Sequence, residues 1–436
     1  MKIYLDTIGC RLNQAEIERY ARQFRAAGHT LVPNPEEADL AVVNTCAVTS
    51  AAAADSRQKV RQVNRAGVEE VVVTGCWSTL KPKEAAALPG VTRVVPNAGK
   101  DLLVPEVLQL DSETFDLEPA EREPIPGARL RTRLFIKVQD GCDNRCTFCV
   151  TTLARGAGRS CPPEAVIAEV RAALQGSGGV DGTGEPSAAR EIVLTGVHLG
   201  SWGQDISPRL HLSHLVQAIL AETSVPRLRL SSLEPWDLDA DFFSLWEDPR
   251  LCRHLHLPLQ SGCAATLRRM ARKTTPESFA ALVSAARALI PGVSITTDVI
   301  TGFPGETEAE FEESLAFVRQ MRFAGGHVFT YSARTGTAAA RMPGQVPQPV
   351  RKERNARLRQ AIAESGHRYQ QRFLGKVLPV LWESATALGP AGWDLNGLTD
   401  NYLRVSATAP RHLWNQITPV KLTGLESGAL VGRIIE

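Results

Sequence analysis

Leu134-Phe-Ile-Lys-Val-Gln139, followed by Asp140-Gly141-Cys142-Asp-Asn-Arg-Cys146-Thr-Phe-Cys149, decides the reading of this chain. The mostly apolar run predicts a buried parallel strand, and three thiols within eight residues come directly after it. Thiolate is a soft donor that suits iron–sulfur clusters and zinc. Zinc sites commonly take four ligands, often from C-x2-C pairs. Three cysteines at unequal x3 and x2 spacing can instead hold three irons of a cubane and leave the fourth open. A zinc loop completed by a distant residue such as Cys161 is the competing reading.

C-terminal to this loop the strand–helix alternation continues. Candidate strands at Glu191–Thr195, Leu228–Ser231, His254–Leu257, Ser294–Ile300 and Gly326–Tyr331 are separated by helical stretches. These lie near Pro163–Gln175, Leu212–Glu222, Ala240–Glu247, Pro276–Ile290 and Glu308–Gln320. Six βα units fit a partial or complete parallel barrel. Gly176–Pro186 reads as a surface loop. On the N-terminal side, strands at Ile3–Asp6, Leu40–Val43 and Val71–Val73 run into Gly9-Cys10, Asn44-Thr45-Cys46 and Thr74-Gly75-Cys76, each followed by a helix. Ligands of open α/β sheets sit outside the carboxyl ends of the strands, so the three cysteines are expected to converge there.

The chain of 436 residues is therefore predicted as α/β in several parts. These are an N-terminal parallel α/β domain (1–110), a Pro-rich acidic linker (111–127) and a partial (β/α)6 barrel (128–340). A basic helical connector (341–372) and a small β-barrel (373–436) complete it, with strands near Val377–Trp382, Tyr402–Val405, Val420–Leu422 and Leu430–Ile435. At 43% hydrophobic and 22% charged residues, wholesale disorder is excluded. No apolar run reaches the ~18 residues of a membrane helix. The start, Met1-Lys2-Ile3-Tyr4-Leu5-Asp6, lacks a signal-peptide core. A cytoplasmic location without a membrane partner is expected. Nine cysteines in a reducing compartment point to metal or catalytic thiols rather than disulfides.

A formal net charge of +2 leaves nucleic-acid binding to local charge. Between Arg341 and Lys376, nine Lys/Arg face only Glu353 and Glu364; Arg253, Arg268, Arg269, Arg272 and Lys273 form a second run without an acid. Such patches attract phosphate, although a charge run is usually just a solvated helix face. Tyr402, Trp393 and Trp414 either stack on bases or fill the small core. His198, His254 and His256 read as core or hydrogen-bonded histidines rather than ligands, and Cys161, Cys252 and Cys263 as structural.

The CxxxCxxC loop after the first barrel strand resembles the radical S-adenosylmethionine (SAM) superfamily. Gly9-Cys10, Asn44-Thr45-Cys46-Ala47-Val48 and Thr74-Gly75-Cys76 resemble the N-terminal cluster domain of the methylthiotransferases, and the last block resembles that family's TRAM barrel. Leu194-Thr-Gly-Val-His-Leu-Gly200, Ser231-Ser-Leu-Glu-Pro235, His256-Leu-Pro-Leu-Gln-Ser-Gly262 and Asp298-Val-Ile-Thr-Gly-Phe-Pro-Gly-Glu306 are similar to the branch acting on threonylcarbamoyladenosine in tRNA. The isopentenyladenosine branch usually has Gly-Gln-Asn where this chain has Gly196-Val197-His198. Two stretches depart from the family: Val150-Thr151-Thr152-Leu153 and Arg272-Lys273-Thr274-Thr275.

The resemblance implies two 4Fe-4S clusters and SAM as cofactors. One cluster, on Cys142, Cys146 and Cys149, binds SAM at its open iron and drives its reductive cleavage to a hydrogen-abstracting radical. The other, on Cys10, Cys46 and Cys76, supplies sulfur that a second SAM methylates. It places Gly196 backbone at the SAM amino group, Ser232 and Glu234 at its polar atoms and Ile300 at its adenine; loop packing or helix capping is the competing role of each. No side chain is singled out as a catalytic acid or base, because removing hydrogen from an unactivated C–H bond requires a cofactor. The expected product is methylthio-modified threonylcarbamoyladenosine at position 37, beside the anticodon, with tRNA as partner and an unidentified electron donor. The alternatives are an isopentenyladenosine or ribosomal-protein methylthiotransferase, or a non-catalytic iron–sulfur RNA-binding protein.

Overall fold

A computed structural model describes residues 1–111, 125–126, 132–175, 188–389, 392–426 and 428–435. Most of the expected linker and the expected Gly176–Pro186 loop lie outside the described residues.

The N-terminal part is a parallel sheet of β1 (Lys2–Thr7), β2 (Thr30–Leu31), β3 (Leu40–Thr45), β4 (Glu70–Gly75) and β5 (Val91–Val95), in the order β2-β1-β3-β4-β5. All six residues of β3 are buried because both faces are covered. Leu40 and Val42 pack with Tyr20 and Phe24 of the Arg11–Ala26 helix. Ala41 and Val43, on the other face, pack with Val60 and Val63 of the Ser50–Arg65 helix. Each fully buried valine contributes about 1.5–3 kcal/mol. The sequence reading missed β2, which is only two residues long, and β5, where Thr92 and Arg93 interrupt the apolar run.

The central part contains β6 (Arg133–Lys137), β7 (Gln139–Asp140), β8 (Arg159–Ser160), β9 (Glu191–Thr195), β10 (Leu228–Leu230), β11 (His254–His256), β12 (Ser294–Thr301) and β13 (Gly325–Thr330). β6, β9 and β10 form one parallel sheet, and β11, β12 and β13 another. Parallel bridges Leu228↔Leu251 and Ser232↔His256 join them at the β10/β11 seam. Among the described residues no ladder links β13 back to β6, so the barrel is partial. One apolar core fills it and extends under the surrounding helices.

The Gln348–Gln371 helix leads into a closed barrel. Its strands are β14 (Val377–Ala387), β15 (Trp393–Thr399), β16 (Arg404–Ala409), β17 (Ile417–Glu426) and β18 (Ala429–Ile434), in the order β14-β15-β16-β18-β17. β15 escaped the sequence reading because Asp394, Asn396 and Gly397 hide its alternation. This barrel docks on the central one through arginines. Arg227 donates to the Leu398 and Pro379 carbonyls at 2.9 and 2.8 Å. Arg229 clasps Glu191 at 2.6 and 3.0 Å and also donates to Asp400 O. Arg253 forks onto Asp400 at 2.6 and 3.0 Å. Tyr402 stacks on His254 with centroids 4.2 Å apart, so it serves this interface and not a base. Trp393 packs against the barrel core.

Candidate functional site

The three N-terminal cysteines sit where β1, β3 and β4 end. Cys10 is the N-cap residue of the Arg11–Ala26 helix, and its Sγ lies 3.7 Å from Asn13 Oδ1. Cys46 follows β3, and Cys76 opens the Cys76–Leu80 helix directly after β4. Gly9 turns the chain at φ +113°, and a Cβ there would lie 2.6 Å from Cys46 Cβ and 2.7 Å from Cys46 Sγ. Burial pushes the Cys46 thiol up to about 11, and Cys10 and Cys76 are near enough to add to the rise. The Asn97 amide lies 3.7 Å from Cys76 Sγ.

The second set lies at the carboxyl end of β6 and β7. Gly141, at φ +71°, lets the chain pass so close to Ala157 that a Cβ would stand 1.8 Å from its carbonyl oxygen. The Cys142 amide donates to Gly156 O at 3.0 Å, and the Cys149 amide to Cys146 O at 3.1 Å. Thr147 anchors the loop to Met270 O and Arg269 O at 3.0 and 2.8 Å. Arg272 reaches Cys146 Sγ at 3.7 Å while forking onto Glu234 at 3.1 and 2.6 Å and lying 4.5 Å from the centre of the Trp236 ring. His198 lies 2.5 Å from Asp237. Burial pulls its imidazole down, but hydrogen bonds to Asp237 and the Cys142 thiol outweigh this and lift it to about 9. Arg272 thus puts a cationic donor beside a loop thiol, which suits a negatively charged thiolate cluster.

Both sets offer three thiols on fixed backbone, a donor set suited to iron–sulfur clusters. Among the described residues, no three Cys, His, Asp or Glu side chains stand in a finished metal-holding arrangement. Of the other cysteines, Cys161 bonds to Lys137 O at 3.3 Å, and Cys252 and Cys263 are buried.

A cavity of about 610 Å³ is lined by Cys149 of the second set and by the residues just past Cys46 of the first. Val48, Thr49 and Ser50, just past Cys46, form one side; Phe148, Cys149 and Thr151 form another. Asp298, Ile300, Phe329 and Tyr331 from the ends of β12 and β13 complete the wall. The volume falls in the range of small-ligand sites. Arg334 ties its sides together, donating to Ser50 Oγ at 3.2 Å and Val48 O at 3.0 Å.

Of the expected SAM contacts, Gly196, Ser232 and Glu234 do not line this cavity. Ile300 is on the cavity wall with Cys149. Gly196 backs onto Gln139, whose Oε1 would be 2.9 Å from an added Cβ. Ser232 bridges to His256, and Glu234 reaches Cys146 through Arg272. Sequence reasoning missed the roles of Arg272, Arg155 and Arg334. Arg155 comes just after the departing Val150-Thr151-Thr152-Leu153 stretch, and Arg272 stands in the basic run; Arg334 carries no sequence signal.

The model described as "Uncharacterized protein family UPF0004" matches residues 2–96, and the Radical SAM superfamily model matches residues 136–318. The chain is 34% identical to "Threonylcarbamoyladenosine tRNA methylthiotransferase MtaB" of Bacillus subtilis (strain 168), over 95% of this chain and 92% of that protein. It is 36% identical to the Thermotoga maritima protein of the same name, over 87% and 86%. "tRNA-2-methylthio-N(6)-dimethylallyladenosine synthase" of Caldicellulosiruptor saccharolyticus is 32% identical, over 87% and 81%. Among solved structures, the radical SAM methyltransferase TsrM from Kitasatospora setae superposes with a TM-score of 0.57 at 14% identity, covering 78% of this chain and 77% of that one. This last likeness shows the fold alone.

Proposed function

The chain belongs to the radical-SAM tRNA methylthiotransferase family, and on that premise we propose that it adds a methylthio group to C2 of N6-threonylcarbamoyladenosine at position 37 of tRNA. One observation carries the reading: a single cavity is walled both by the loop after Cys46 and by Cys149. A sulfur donor and a radical source held on the two cysteine sets would therefore face one nucleoside.

Cys142, Cys146 and Cys149 would hold one 4Fe-4S cluster, and Cys10, Cys46 and Cys76 a second. When bound, the first with SAM supplies hydrogen-abstracting radical chemistry and the second supplies sulfur. The chain's own residues position and shield. Arg272, backed by Glu234, places positive charge at Cys146. Asn144 and His198 brace the loop, 3.3 Å apart. Ile300, Phe329 and Tyr331 give the cavity an apolar wall that limits water around a reactive intermediate. Gly196, Ser232, Glu234 and Ile300 are the candidate SAM contacts. The tRNA is gripped by exposed cations of the Gln348–Gln371 helix, and an unidentified donor supplies electrons. No helix among the described residues is long and apolar enough to cross a membrane, which accords with work on cytoplasmic tRNA.

The test is anaerobic incubation of reconstituted protein with SAM, dithionite and tRNA carrying either threonylcarbamoyladenosine or isopentenyladenosine, followed by nucleoside mass spectrometry. Methylthiolation of the first is expected. Conversion of the isopentenyl substrate instead would reassign the branch, in line with the dimethylallyladenosine synthases among the relatives.

A further inference from the structure

We propose that Arg155, which belongs to the segment following the Cys142–Cys149 loop, is a positioning residue for the other cysteine set: its charge raises the reduction potential of a cluster held by Cys10, Cys46 and Cys76. The proposal rests on reading those three cysteines as cluster ligands.

Arg155 ends the Thr151–Arg155 helix and is only 4% exposed. Its Nη2 donates to Asn13 Oδ1 at 2.8 Å, and the same oxygen lies 3.7 Å from Cys10 Sγ. The preceding carbonyl, Ala154 O, accepts from Asn97 Nδ2 at 2.8 Å, and that amide lies 3.7 Å from Cys76 Sγ. Two consecutive residues of the barrel segment thus reach two cysteines of the N-terminal sheet, each through one asparagine.

Arg155 Nη1 also bridges Glu16 at 3.0 Å and Asp140 at 2.9 Å. Lys100, fully buried, spans the same carboxylates at 2.5 and 2.6 Å. Lys137 joins them 3.7 Å from Asp140, so three cations and two carboxylates gather there, largely shielded from water, where a single charge acts strongly. A reduced cluster carries one more negative charge than an oxidised one, so a fixed cation nearby favours reduction and a fixed anion opposes it. Removing Arg155 or Glu16 should therefore move the potential in opposite directions.

The experiment uses full-length protein carrying Cys142→Ala, Cys146→Ala and Cys149→Ala, so that only the N-terminal cysteines can hold a cluster. Iron and sulfide content is measured, and the midpoint is read by an EPR-monitored redox titration. Arg155→Gln should shift the midpoint to more negative values, Arg155→Lys should stay near the parent, and Glu16→Gln should shift it to more positive values. A purely structural role would lower cluster content without these opposed shifts. Midpoints that stay at the parent value in Arg155→Gln and Glu16→Gln overturn the proposal. If Arg155→Gln retains no cluster, Glu16→Gln decides, and the absence of a positive shift overturns it. A parent triple variant that binds no iron refutes the ligand assignment itself, and the inference falls with it.

Discussion

A missing Cβ at residue 9 lets the Cys46 thiol lie across the end of β1. An alanine there would have to adopt φ +113° and push into Cys46 Cβ at 2.6 Å. Gly9→Ala is expected to cost about 1–3 kcal/mol locally. On the proposed two-cluster reading, iron content should drop by one cluster while reductive SAM cleavage continues, as read by iron assay and 5′-deoxyadenosine release. The two cysteine sets should separate in the same way. Cys146→Ala is expected to abolish 5′-deoxyadenosine formation. Cys46→Ala should keep that activity and lose the methylthio product. Wild-type deoxyadenosine yield from Cys146→Ala, or normal product from Cys46→Ala, would remove the corresponding ligand from its role. The cysteines themselves were legible in the sequence because both sets have spacing or strand-end position. Arg272 was legible as part of a charge run and of a stretch departing from the family, but its role was not, since its partner Glu234 is 38 residues away.

At the scale of elements, the Gln348–Gln371 helix shows what a charge count conceals. Arg354 is buried and bridges Glu306 and Glu308, each at 2.8 Å; Arg357 pairs with Glu312 at 2.5 Å; Arg351 donates to Tyr331 O. These arginines fasten the helix to the central barrel. Lys352, Arg359, Arg368 and Arg372 are exposed, and these are the cations proposed to meet phosphate. The second basic run is spent similarly, with Arg253 on Asp400, Arg269 on Glu310 and Arg272 on Glu234. Reversing Lys352, Arg359 and Arg368 to Glu should weaken tRNA binding by an amount that shrinks at high salt. Arg354→Ala should instead destabilise the fold by about 3–5 kcal/mol, because it strands buried Glu306. Filter binding across a salt series and denaturant unfolding distinguish the two outcomes.

At the scale of the whole molecule, the C-terminal barrel is held by buried charge as well as by contact. The sequence suggests an appended module. Its removal would strip Arg227 and Arg229 of acceptors from Leu398, Pro379, Thr399 and Asp400. Each buried donor left unpaired costs about 1–3 kcal/mol. Truncation after residue 372 should therefore lower the Tm of the remaining chain, and an unchanged Tm would show that the docking is energetically idle. Burial pushes the Glu191 and Asp400 carboxyls up, but Arg229 and Arg253 respectively more than reverse this, leaving both below their ordinary range. Depressed carboxyl values stabilise the fold above the ordinary carboxylate pKa, and that stability is lost as pH falls through the depressed values. The Tm of full-length protein should fall below about pH 4, and Asp400→Asn should blunt that fall.

Strand-and-helix order, the six cysteines and the apolar runs of the two parallel sheets were determined by the sequence, because each is a local pattern of side chains along one backbone. The short β2, the polar β15, the partners of the arginines and the cavity between the Cys46 and Cys149 loops were decided only by the tertiary structure. Ion pairs such as Arg229–Glu191 and Arg155–Glu16 join residues far apart in the chain, and a composition count assigns the same charge to a solvated lysine as to a buried arginine. Desolvation and geometry, which exist only in the folded molecule, settle which cations stay exposed and which hold the protein together.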